Sequence, residues 1–196
     1  MRKVGALAGA MAMAVSLGAA APVGPAAVDG PARVRGESFY LSVDLSERTL
    51  YVMQGGDEVA SYPVAIGQPR HPTPTGEYRI RHLVWNPRWV PPDARWARNR
   101  RARAPGDPRN PMGRVKLFFK DPDLYIHGTH EVDSLGSAES HGCLRMRNSD
   151  VVALARRVME HGGAPREASW FRRVLNSVRS TREVGLSDPV LVEIHA

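Results

Sequence analysis

The sequence predicts a mostly β domain with two or more helices, and three observations carry that expectation. Short segments with period-two alternation of apolar and polar residues are separated by turn signals. Two later segments show helical spacing with caps and stops. The length of 196 residues, 42% of them hydrophobic and 24% charged, suits one substantial core and is short for two ordinary domains with linkers.

Taken in order, the chain opens on "MRKVGALAGAMAMAVSLGAAAP": cations at Arg2 and Lys3, an uncharged run from Val4, then the small residues Gly18, Ala19, Ala20 and Ala21. That layout predicts a signal peptide over residues 1–21, or an N-terminal anchor if it is retained, and hence an exported protein of the periplasm or cell wall. Cleavage after Ala20 fits best, because a cut after Ala21 would leave Pro22 beside the scissile bond. A retained segment would be the only membrane span. Residues 22–37, rich in proline, alanine and glycine without a hydrophobic period, read as a linker. The remainder, 38–196, reads as one domain.

"SFYLSVDLSERTLYVMQGGDEVASYPVAIG" sets Tyr40, Ser42 and Asp44 against Leu41, Val43 and Leu45, with turn signals at Ser46-Glu47 and Gly55-Gly56. It predicts a meander of three antiparallel strands. Further strands are expected over Glu77 to Trp85, Val115 to Phe119, Asp123 to His127 and Val190 to His195. The proline- and arginine-rich segment between Trp85 and Val115 is far longer than an ordinary loop, which makes it a lid or binding loop, or a solvated one. Its Trp89 and Trp96, with Trp85 at its start, favour packing on the body. "NSDVVALARRVMEHGG" predicts a helix with Asn148 or Ser149 as cap and Gly162-Gly163 as stop. "EASWFRRVLNSVRS" predicts a second, with Trp170, Val174 and Val178 on one face.

The single cysteine, Cys143, lies in "ESHGCLRMRN". A lone thiol in an exported chain has no intrachain partner, so it is either an inert small hydrophobe or a reactive group. Its surroundings favour the second. His127 ends a predicted strand in "YIHGTH", with twelve residues between it and Ser140. A thiol attacks carbonyls as its thiolate and needs a neighbour to take the proton, a role that suits His127. Gly142 lets the chain bend before the nucleophile, and the amides of His141, Gly142 and Cys143 form a candidate oxyanion nest.

"IHGT" followed by "SHGCLRMRNSDV" closely resembles the signature of the L,D-transpeptidase (YkuD-like) catalytic domain, and "HPTPTGEYRI", "WNPRWVPP" and "NPMGRVKLFF" are similar to other parts of that family. The resemblance implies a β-sandwich-like fold and an enzyme acting on the peptide stems of peptidoglycan. Cys143 would displace D-alanine to form a thioester, then pass it to an amine, with no cofactor and no metal. It further implies that His127 is base and orienter, that the Gly128 carbonyl holds its tautomer, and that His141 helps bind substrate or shape the pocket. Arg145 matches the arginine of the "GC-x-R-M" version, which suits a stem carboxylate; an ion pair with Asp150 or another acid is the competing role. Asn148 either touches substrate or caps the helix, and Ser140 either serves the histidine pair or holds the turn.

The formal net charge of +7, falling to +5 once Arg2 and Lys3 leave, points in an exported protein to anionic wall polymers and away from nucleic acid. Arg95, Arg98, Arg100, Arg101 and Arg103 are the residues for such a grip. Two alternatives use the same thioester, an L,D-carboxypeptidase and a lipoprotein-to-peptidoglycan transferase or hydrolase. A third, of another class, is a non-catalytic basic wall-binding protein.

Overall fold

The computed structural model describes residues 39–196, so the leader and linker expectations lie outside the described residues. The strands are β1 (Phe39–Asp44), β2 (Thr49–Gln54), β3 (Asp57–Pro63), β4 (Ile66–Gly67), β5 (Gly76–Trp85), β6 (Val115–Lys120), β7 (Leu124–Thr129), β8 (Ala138–Ser140), β9 (Leu144–Arg147) and β10 (Arg182–His195). The helices are α1 (Asn148–His161) and α2 (Ala168–Leu175). None of the described helices is long and apolar enough to cross a membrane.

The meander folds as expected, with β1, β2 and β3 antiparallel in sequence. The eight-stranded sheet has the order β3-β2-β1-β10-β5-β6-β7-β9, and β4 pairs with β8 in a second, two-stranded sheet. Ala65, just past edge strand β3, exchanges two hydrogen bonds of 2.9 and 3.0 Å with Arg145 on the other edge strand, β9. The sheet therefore rolls until its edges meet, which removes two open edges.

Period-two alternation divides the sheet into two faces. Leu41, Val43, Leu50, Val52, Leu117 and Ile126 are fully buried on the core face, in one cluster with Val151, Leu154 and Val158 of α1. The last strand extends well upstream of the expected Val190 and lies centrally, parallel to β1 and antiparallel to β5. Its register shifts between Gly185 and Val190, a stretch holding Pro189, whose missing N–H cannot serve a ladder.

Three details of the expected elements change. Helix α2 ends at Leu175, and Val178 lies beyond it, 65% exposed, so it is not part of the packed face. Helix α1 begins at Asn148 with Arg147 at the cap position and no side-chain capping bond, so neither Asn148 nor Ser149 caps it. The short strands β4, β8 and β9 carry too few residues to show a period.

The long segment after β5 is anchored at both ends by buried asparagines. Asn86, at φ 49°, donates to the carbonyls of Ser177 (2.6 Å) and Ser180 (3.0 Å). Asn110 donates to the Pro87 carbonyl at 2.7 Å and accepts from the Met112 N–H at 3.0 Å. Trp89 and Arg103 form a bridge across the loop, and Trp85 is fully buried; the Trp96 side chain lies outside the described residues.

Leu117→Ala, at a fully buried position on the sheet's core face, should cost about 2–5 kcal/mol through lost burial and the cavity left behind. Urea denaturation of the two proteins measures it, and a loss below 1 kcal/mol would show that the site collapses freely.

Candidate active site

The register of three strands assembles the site. Lys116 on β6 pairs with His127 on β7, and His127 with Arg145 on β9. Phe118 pairs with Tyr125, and the β7–β9 register carried back one residue sets Tyr125 opposite Cys143. These residues share the face away from Leu117, Ile126 and Leu144. That face opens on a cavity of about 1160 Å³ whose lining includes Cys143, His127, His141, Arg145, Lys116 and Tyr125. The anchored loop supplies a further wall through Trp89, Arg100, Arg101 and Arg103, whereas Arg95 and Arg98 lie outside the lining.

His127 is 3% exposed, and its Nδ1 lies 2.8 Å from the Gly128 carbonyl. A carbonyl only accepts, so Nδ1 carries the hydrogen and Nε2 keeps its lone pair. Burial, opposed by the Gly128 bond and reinforced by the charges of Arg145 and Lys116, lowers the imidazole to about 4. The ring is therefore neutral. Gly128 has no space for a side chain, since an added Cβ would meet Asn148 Oδ1 at 2.2 Å.

Cys143 is half-buried, and its thiol donates to the Asp123 carbonyl at 3.3 Å. Burial pushes the thiol up from its ordinary range; the nearby Tyr125 N–H and hydroxyl, and the charges of Lys116 and Arg145, pull the other way. The thiol and the imidazole are both neutral at rest.

The turn that presents the sulfur is held from two sides. Gly142, at φ 102°, occupies the left-handed region. Its N–H donates to Ser140 Oγ at 3.1 Å, so that amide is committed within the turn and leaves the candidate oxyanion set. Ser140, 2% exposed, also donates to the Cys143 carbonyl at 2.5 Å, so its bonds serve the turn. From below, Thr73 Oγ1 accepts the Gly67 N–H at 2.9 Å and donates to the Gly142 carbonyl at 3.1 Å. The "HPTPTG" stretch thus buttresses the cysteine turn. Gly67 is required there, because an added Cβ would meet the His71 carbonyl at 2.3 Å.

The remaining expected residues divide. His141 borders the cavity, its ring 4.9 Å from that of His71. Arg145 also borders it, and its ion pair is with Glu131 at 3.0 Å; Asp150 pairs instead with Arg147 at 4.0 Å. Glu131 is 71% exposed, so that pair contributes about 0–1 kcal/mol and yields readily. Asn148 is absent from the lining: it accepts from the Arg114 N–H at 3.0 Å and donates to the Thr129 carbonyl at 3.2 Å, joining the ends of β6 and β7 to α1. Lys116, Tyr125 and Thr73 were not singled out from the sequence. A lysine inside the apolar "VKLFFK" was the available signal for Lys116; its facing His127 required the register.

The family model for the L,D-transpeptidase catalytic domain matches residues 38–192. The chain is 32% identical to the L,D-transpeptidase YkuD of Bacillus subtilis over 117 residues, covering 60% of this chain and 58% of that protein. It is 34% identical to the L,D-transpeptidase YbiS of Escherichia coli over 119 residues, covering 57% of this chain and 38% of that protein. The matched region is thus less than two thirds of either relative. Among solved structures, an L,D-transpeptidase from Mycobacterium smegmatis matches with a TM-score of 0.50 at 17% identity, covering 81% of this chain and 58% of that one. At that identity the likeness speaks for the fold.

The His127 ring should titrate near pH 4 in an NMR experiment, and an inflection near 6.5 would contradict the burial described. With the folded value below the ordinary one, the unfolded chain binds a proton between about pH 4 and 6.5 that the native state refuses. This group therefore weakens the fold as pH falls through that window.

Proposed function

The chain belongs to the L,D-transpeptidase catalytic-domain family, and from that premise we propose that it is an exported cysteine acyltransferase acting on peptidoglycan stem peptides. One observation carries the reading: the sole thiol and a buried imidazole with a fixed tautomer open on the same cavity. In the donor stem, the carbonyl to be attacked joins the L-centre of a diamino acid to a terminal D-alanine.

As the Cys143 sulfur forms its bond to that carbonyl carbon, its proton passes to the free Nε2 of His127. The carbonyl becomes an oxyanion, and the Cys143 N–H is the proposed donor to it, the Gly142 N–H being held by Ser140. Collapse of the tetrahedral intermediate breaks the bond to D-alanine, whose nitrogen leaves with the proton from His127. An acceptor amine then attacks the thioester, the same imidazole takes its proton, and as the carbon–sulfur bond breaks the imidazole returns that proton to the departing sulfur. The Gly128 carbonyl keeps the ring in the tautomer both steps need. Arg145 suits the stem carboxylate, which would displace Glu131 from a weak pair, and His141 shapes the entrance. Asn148 and Ser140 act through position, without touching substrate.

Water in place of the amine would give an L,D-carboxypeptidase, and a lipoprotein amine a wall-anchoring transferase; the open cavity accommodates each. A non-catalytic wall-binding role fits less well, because it leaves a fixed imidazole tautomer on the same cavity as the thiol without a purpose.

Cys143→Ala should abolish D-alanine release from tetrapeptide stems, and His127→Gln should lower it by roughly 10²–10⁴-fold, the usual worth of a positioned base. Release is followed by chromatography; undiminished release by Cys143→Ala would refute the proposal. A carbapenem should add to the wild-type chain and not to Cys143→Ala, read by intact mass.

A further inference from the structure

The cavity contains a cation that the reaction above does not use. Lys116 is the second residue of β6, half-buried, with its ammonium 4.4 Å from the Tyr125 ring centroid and 4.8 Å from that of Phe118. No carboxylate pairs with it among the described residues, whereas Arg145 has Glu131 and Arg103 has Asp107. Burying an ammonium without a counter-ion is costly, and burial does push this one below its ordinary range; the charge of an ionised Cys143 works against that shift. Two aromatic faces give part of the compensation. An anion formed in the cavity would give the rest.

The strand register supplies that anion. Lys116 stands beside His127, and the ring on which it rests belongs to Tyr125, which stands beside Cys143. Tyr125 lines the same cavity as the sulfur, and its backbone N–H and hydroxyl are near enough to favour the thiolate. Burial, then the charge of Cys143, pushes the Tyr125 phenol up, so it remains protonated and a donor. His127, neutral at rest, brings no charge of its own.

We propose that Tyr125 and Lys116 together hold the negative charge of the Cys143 sulfur, Tyr125 as a catalytic donor touching it and Lys116 as a positioning cation seated on the phenol ring. The ammonium polarises the phenol and strengthens its hydrogen bond. Other charged or titratable groups line the cavity: Asp123 from the turn before β7, His130 and Glu131 after β7, His141 from the turn before β9, Arg145 from β9, and Arg88, Arg100, Arg101, Arg103 and Arg109 from the loop. Of these, Asp123 and Glu131 oppose the anion, and Glu131 is paired with Arg145. The proposal rests on Cys143 being the reactive thiol, and it is independent of which acyl donor the enzyme uses.

Alkylation of the full chain by iodoacetamide tests it without any stem peptide. In that reaction the thiol proton is lost to solvent, the thiolate carbon–sulfur bond forms and iodide leaves, so rate against pH, read by intact mass, reports thiolate fraction. Lys116→Met and Tyr125→Phe should each move the inflection up by about one pH unit and slow alkylation at pH 7 about tenfold. Lys116→Arg should restore most of the rate, and the double variant should shift by less than the sum, since both act on one anion. A Lys116→Met profile that overlays wild type, with or without an increase in KM for a stem peptide, would overturn the proposal and assign Lys116 to a substrate carboxylate or to packing. If Lys116→Met fails to fold by circular dichroism, Tyr125→Phe and Lys116→Arg decide alone: wild-type behaviour in the first overturns the proposal, as does an Arg variant slowed tenfold. Failure of D-alanine release would leave these profiles unaffected, so the two readings fall separately.

Discussion

The site depends on the pairing register of β6, β7 and β9. It places Lys116, His127 and Arg145 in one row and Phe118, Tyr125 and Cys143 in the next, with Leu117, Ile126 and Leu144 facing the core. A slip of one residue would exchange the two sets, burying the charged groups and exposing the leucines. Specifying the core therefore specifies the site. Every buried aliphatic side chain on these strands helps to set where the imidazole and the sulfur stand.

Rigid supports then convert the register into geometry. The Thr73 hydroxyl ties the stretch after β4 to the Gly142 carbonyl, Ser140 closes the cysteine turn, and Asn148 joins β6, β7 and α1. These polar groups are buried or partly buried and satisfied by backbone partners, so each bond fixes a segment of main chain. The close approach at Gly128 and Gly67 belongs to the same construction, for both positions admit only hydrogen where a side chain would start. Burial that makes the scaffold rigid also removes charge from the resting site. Both His127 and Cys143 are held neutral, so in the proposed reaction charge has to appear and be met inside the cavity.

Much of this was legible in the sequence where local patterns decide the outcome. The β1–β3 meander followed from alternation and turns; α1 followed from Val151, Leu154 and Val158, with Gly162 as the stop. The pair Cys143 and His127 was legible because a lone thiol and a strand-end histidine are rare and chemically complementary. Long-range pairing was not: nothing local says that the last strand enters the sheet between the first and the fifth, or that Ala65 closes the roll onto Arg145. The same limit hid Lys116 and Tyr125, whose neighbours on the sheet lie on other strands. Asn148 illustrates a local rule overridden by tertiary structure, since its side chain serves two distant backbone groups and leaves the helix end uncapped.

The central claim is that the Cys143 sulfur carries the acyl group. Mass spectrometry of the chain incubated with a tetrapeptide stem, quenched in acid before an acceptor is added, measures it directly. A covalent increment equal to the stem less D-alanine, localised by proteolysis to the peptide containing Cys143 and removed by hydroxylamine, is the expected result. Turnover with no such adduct at any quench time, or an adduct on another residue, would contradict it.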